Sequence, residues 1–126
     1  MGKTFFKPPI VAIDFDGTIA DNEYPEIGEL KDGVKEFMEL IKNKGWRITI
    51  WTCRQETQKV EKFLNKHNLP YDGINENILT QEELDEYGFV DTRKIGADFY
   101  IDDKGIEFRD NWHELIDKFK RCVEEW

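Results

Sequence analysis

The chain has 126 residues, enough for one domain with a packed core and too few for two ordinary ones. Hydrophobic residues make up 39% and aromatics 13%, which argues for a folded globule over a disordered chain. With 27 acidic against 18 basic residues the formal net charge is −9, so a broad electrostatic grip on nucleic acid is disfavoured. Cys53 and Cys122 lie far apart, no cleavable apolar leader is evident, and no apolar segment approaches the length of a membrane span. A soluble, cytoplasmic protein in a reducing compartment is expected.

The first element is the run Ile10-Val11-Ala12-Ile13, bounded by Pro9 and Gly17, which suits a central strand covered on both faces. It ends in Asp14-Phe15-Asp16-Gly17-Thr18. Two carboxylates so close repel each other, so one has a raised pKa unless a cation sits between them. Oxygen ligands of this kind suit Mg²⁺, which takes one or two protein carboxylates alongside substrate phosphate. The alternative is an acidic turn, since Asp and Gly are ordinary turn residues.

Residues 19–30 read as a loop or short hairpin beside the strand end, in which Tyr24 and Glu26 could face the site but carry no assigned role. Asp32 opens a helix with Val34, Phe37, Met38 and Ile41 on one face, stopped at Gly45. A second strand over 46–51 ends in Thr52-Cys53-Arg54, and a helix follows over 55–67 with Val60, Phe63 and Leu64 inward. Cys53 reads as a small buried residue, because neither His67 nor His113 lies in a motif that would pair with it.

A weaker strand is expected over 71–74. The segment 75–93 is the least legible, although Thr80 with Glu83 forms a capping-box pattern for a short helix that Gly88 ends. Residues 97–101 make another strand that also ends in paired acids, Asp102-Asp103. Trp112, Leu115, Ile116, Phe119, Val123 and Trp126 mark a last amphipathic helix, with Asn111 as cap and Glu114 three residues on.

Strands alternating with helices imply an α/β fold, a Rossmann-like three-layer α/β/α sandwich with a mostly parallel sheet, occupying 1–126 as a single domain. In such a sheet the carboxyl ends of the strands share one edge, so Asp14 and Asp16, Thr52, and Asp102 with Asp103 converge. Together they describe a Mg²⁺-assisted phosphate site. Lys94 is the best-placed fixed cation, and Arg54 is either a substrate contact at the helix start or a surface arginine.

Asp-Phe-Asp-Gly-Thr at 14–18, a Thr ending the second strand, a Lys ahead of the last motif, and Tyr-Ile-Asp-Asp at 100–103 resemble the four motifs of the haloacid dehalogenase superfamily of phosphohydrolases. The resemblance spans about 10–112. It implies Asp14 as the nucleophile that becomes an aspartyl phosphate, and Asp16 as general acid and then base. It implies Thr52 as a phosphoryl ligand, and Lys94 as the charge that steadies Asp14. It also implies Mg²⁺ bound by Asp14, the main-chain carbonyl of Asp16 and Asp102, with Asp103 in support. An acid at Asp16 favours a phosphatase over a dehalogenase, because an alkoxide leaving group benefits from a positioned proton, worth about 10²–10⁴-fold.

Neither interval between motifs is long enough for a folded cap, so the chain resembles the capless members. Their open sites suit a bulky phosphorylated macromolecule, or a small-molecule phosphate ester screened by a homo-oligomer. Analogy with short capless relatives points to a sugar phosphate or similar metabolite, with nucleic acid and membrane disfavoured. Two rivals are a receiver-like phosphoacceptor, whose acids would sit on different strands, and a catalytically idle protein that keeps the fold for binding.

Overall fold

The chain lays down β1 (Ile10–Asp14), β2 (Ala20–Glu23), β3 (Glu26–Leu30), α1 (Val34–Asn43), β4 (Arg47–Trp51), α2 (Thr57–Lys66), β5 (Gly73–Ile74), α3 (Gln81–Tyr87), β6 (Phe99–Ile101) and α4 (Trp112–Cys122). The structure, a computed structural model, describes residues 4–123. Trp126, expected on the last helix, lies outside them.

Four strands form one parallel sheet in the order β5-β4-β1-β6, and β2 with β3 form a separate antiparallel hairpin. The fold is thus α/β with a parallel sheet and four helices. β1 is an inner strand, as its unbroken apolar run predicts, and Ile10, Val11, Ala12 and Ile13 are all buried. Successive strand side chains point to opposite faces. Val11 and Ile13 of β1 with Ile48 and Ile50 of β4 therefore share one face, where Met38 and Ile41 of α1 and Val60 and Leu64 of α2 pack on them. Each such fully buried aliphatic side chain contributes roughly 1.5–3 kcal/mol.

The other face presents Ile10, Ala12 and Thr49, and is covered by the segment carrying α3. Arg47 reaches from the sheet to Glu83 of α3 at 2.9 Å, and the Thr49 hydroxyl donates to the carbonyl of Glu76 at 3.2 Å. This division follows from connectivity. From β1 the chain steps outward to β4 and β5, each time through a helix on one face, then returns to place β6 on the far side of β1. Right-handed crossovers in opposite directions put their helices on opposite faces. The reversal falls between β1 and β6.

Two helix expectations are corrected. Gly33, in the left-handed region at φ 86°, and not Asp32, precedes α1, and Phe37 remains 39% exposed on that helix. The final helix forms where its apolar spacing predicts and Asn111 caps it through the Glu114 N–H, but no residue of α4 is buried. Trp112, Ile116 and Phe119 stay exposed because α4 follows the short edge strand β6, which offers too little sheet to cover them.

The Thr80–Glu83 capping box is present in both directions, and Gly88 in the left-handed region ends α3. Glu83 thus holds both a helix start and Arg47. The Arg47 hydrogen bond, ahead of opposing desolvation, lowers its pKa from the ordinary 4.5. A depressed carboxylate pKa contributes stability that is complete above 4.5 and lost as pH falls through the folded-state value. Glu83→Gln should therefore cost about 1 kcal/mol in urea unfolding at pH 7. The difference from wild type should shrink as the titration is taken below pH 4.5; a pH-independent cost would refute the assignment.

Candidate active site

The acid motif is built by strand alternation. Asp14 ends β1, Phe15 turns inward to full burial against the Phe63 ring, and Asp16 turns back out. The carbonyl of Phe15 then accepts from the N–H groups of Thr18, Ile19 and Ala20, winding the chain into one tight turn. That turn needs Gly17 at φ 88°, and a Cβ there would collide with the Asp103 carboxylate. Gly17 thus admits both the turn and the second acidic motif.

Asp14, Asp102 and Asp103 each place a carboxylate oxygen within 4.8 Å of the others. They flank the reversal between β1 and β6, where open α/β sheets bind ligands. Burial is the main cause that lifts the Asp14 pKa from 3.8 to about 6, and the negative charges of Asp102 and Asp103 add to it. The Thr18 hydroxyl, which donates to Asp14 Oδ2 at 3.1 Å, opposes that rise. Asp102 also accepts the Lys104 N–H at 2.9 Å, so one oxygen shapes the turn after β6. Clustered hard oxygen donors with an anion disfavoured by its neighbours fit a small divalent cation.

Thr52 follows β4 and borders a cleft of about 430 Å³ with Asp14, Asn75, Arg93 and Asp102. Its position is fixed by Asn75, whose side chain accepts the Thr52 N–H at 2.7 Å and donates to the Thr52 carbonyl at 2.8 Å. The amide of Asn75 imitates a strand peptide and extends the ladder one residue past β4. Asn75 sits at φ 55°, a left-handed conformation that Asn tolerates better than most residues. Sequence reasoning missed it; the signal was an Asn directly after a short strand.

Two expectations change here. Lys94 lines a separate cavity of about 580 Å³ with Phe5, Phe89 and Tyr100, whereas its neighbour Arg93 borders the Asp14 cleft. The two are neighbours in the irregular segment before β6, and both are exposed. Cys53, expected to be buried, is exposed on the same cleft because the chain leaves β4 before reaching it.

Arg54 is the third correction. It is not a surface arginine: it is 8% exposed, with its guanidinium turned inward. Nε and Nη2 each donate to one oxygen of Asp16 at 2.8 Å, a two-point pair. Nη1 donates to the Pro25 carbonyl at 2.8 Å and Nη2 to that of Glu26 at 2.7 Å. The hydrogen bond that Arg54 donates to Asp16 is the main cause that raises the Arg54 pKa. The Asp16 carboxylate is therefore committed to Arg54 and lies outside the three-acid cluster, whereas the metal ligand expected of Asp16 is its main-chain carbonyl. Tyr24 lies over the guanidinium at 5.0 Å, whereas Glu26 contributes its carbonyl.

An Asp whose folded pKa is raised is penalised when ionised, fully above about 6 and not at all below the ordinary 3.8. Without added metal, Asp14→Asn should raise the melting temperature at pH 7.5, and the gain should fade as pH drops from 6 towards 4. A constant or reversed difference would rule out the charge penalty at Asp14.

No protein-family model matches the chain, and no curated protein matches it. Among solved structures, a conserved protein from Bacteroides thetaiotaomicron superposes with a TM-score of 0.64 at 26% identity, covering 91% of this chain and 92% of that one. A chain of the Pnkp1/Rnl/Hen1 RNA repair complex superposes with a TM-score of 0.53 at 18% identity, covering 96% of this chain but 42% of its own. The second likeness is one of fold alone.

Proposed function

We propose that the protein is a phosphatase of the haloacid dehalogenase type, capless and cytoplasmic, which hydrolyses a small-molecule phosphate monoester with Mg²⁺. The observation that carries this reading is the meeting of Asp14, Asp102 and Asp103 within 4.8 Å, the first two of which border one cleft with Thr52. The resemblance of the ordered motifs supports it, and a cleft of about 430 Å³ suits a small ester.

Asp14, Asp102 and Asp103 would hold the metal, with the main-chain carbonyl of Asp16. When bound, Mg²⁺ offsets the repulsion between anionic nucleophile and anionic phosphate. In this reading Asp14 attacks phosphorus as the bond to the ester oxygen breaks, and that oxygen takes a proton from Asp16. Water then attacks the aspartyl phosphate and gives its proton to Asp16, releasing inorganic phosphate and restoring Asp14. Thr18 orients the nucleophile through its hydrogen bond to Oδ2. The Thr52 hydroxyl holds a phosphoryl oxygen, and Arg93 supplies the positive charge expected of Lys94.

Phosphate release should be measured from 4-nitrophenyl phosphate, a panel of phosphorylated metabolites and a 3′-phosphorylated RNA end, each with Mg²⁺. The RNA end is included because a chain of an RNA repair complex shares the fold. Turnover that needs Mg²⁺ and falls on the order of 10³-fold or more in Asp14→Asn is expected. A wild type inert across the panel would sink the hydrolase reading in favour of a binding protein.

The cation has its own test. Arg93→Ala should lower kcat/KM about 10²-fold and Lys94→Ala less than about threefold. The opposite order would return the role to Lys94.

A further inference from the structure

We infer that Arg54 is the positioning residue for Asp16, and that it joins Asp16 to the tip of the β2–β3 hairpin as one mechanical unit. The inference rests on the proposed phosphatase reading for its kinetic consequence and on the geometry alone for the coupling.

A guanidinium presents its donors as a rigid planar fork. Here one edge of that fork holds both oxygens of Asp16, while its remaining donors hold two consecutive carbonyls, Pro25 and Glu26, between β2 and β3. Tyr24 covers the guanidinium from outside and is itself 70% exposed. The helix-side end is fixed as well, since the Arg54 N–H donates to the Thr52 hydroxyl at 3.1 Å. The planar group cannot turn without releasing either the carboxylate or the hairpin. A displacement of the hairpin tip therefore shifts the aim of Asp16.

A surface ion pair would impose no such constraint, because both partners would exchange freely with water. The Arg54 side chain is only 6% exposed and that of Asp16 20%, so this pair has few solvent alternatives. Asp16 retains lone pairs beyond the two that Arg54 occupies, so the pairing orients the carboxylate and leaves it able to reach a leaving oxygen.

Two measurements test the proposal. Proton delivery matters most for a poor leaving group, so Asp16→Asn and Arg54→Lys should each slow an alkyl phosphate about 10²-fold. In kcat/KM, which reports the steps up to departure of the leaving group, the same variants should lose less than about fivefold on 4-nitrophenyl phosphate, whereas kcat falls on both substrates because Asp16 also serves as base towards water. Arg54→Lys keeps the charge but not the fork, and the double variant should be no slower than Asp16→Asn alone. Equal losses in kcat/KM on both substrates, or losses that multiply in the double variant, would overturn a positioning role.

The coupling is read without turnover, by amide hydrogen exchange across residues 21–27. Asp16→Asn should speed exchange there about tenfold, as Arg54→Lys does, while the β1 and β4 amides stay protected. Unchanged exchange in folded Asp16→Asn protein would refute the linkage even if the wild type proved inert. Coupled exchange in an inert protein would uphold the linkage and fail only the phosphatase reading.

Discussion

Three carboxylates held within 4.8 Å at one edge of a sheet repel one another, and the site is arranged around that repulsion. Asp14 sits at the end of a buried strand, where water cannot fully screen it, and its raised pKa records the cost. Nothing in the fold compels Asp102 and Asp103 to stand beside it except the return of the chain to the far side of β1. That return also opens the crevice at which the acids gather. A hydroxyl from Thr18 and the absence of a side chain at Gly17 let the three approach, with no ion pair to any of them among the described residues.

Asp16 meets the same problem with the opposite solution. It lies two residues from Asp14 and on the same side of the strand, yet a guanidinium neutralises it from within the chain. Among the described residues the four acids are thus divided into three without an ion pair and one with it. In the proposed phosphatase a carboxylate that handles protons would benefit from separation from a cation site, because shared ligation would fix its lone pairs. Arg54 supplies that separation and anchors the hairpin in the same stroke, so the loop nearest the acids is tied to the residue it shelters.

The parts legible in the sequence are those whose signal is local. The apolar run of β1, the alternation that aims Asp14 and Asp16 outward, the Thr80–Glu83 box and the order of the parallel strands' acids each follow from neighbours in the chain. The illegible parts depend on distant partners. Arg54 reads as a helix-start arginine until the hairpin carbonyls, nearly thirty residues earlier, are seen to face it. Arg93 and Lys94 are adjacent in an irregular segment, where no periodicity says which one turns to the acids. The amphipathic spacing of α4 correctly gives a helix, but spacing alone does not supply a surface to bury it.

Aspartates at the two ends of the sheet show how placement, more than residue type, decides chemistry. Asp72 and Asp98 precede β5 and β6 at the amino edge, and each receives a backbone N–H from the neighbouring strand, Ile48 at 2.7 Å and Ile10 at 2.8 Å. Each also donates its own N–H to that same residue's carbonyl, closing a two-bond clasp that begins the parallel ladder. In a parallel sheet the amino edge exposes unpaired strand N–H groups, which a carboxylate can satisfy. The carboxyl edge exposes carbonyls, which it cannot. Asp14, Asp102 and Asp103 therefore find few backbone donors where they stand, and among the described residues none of the three forms an ion pair.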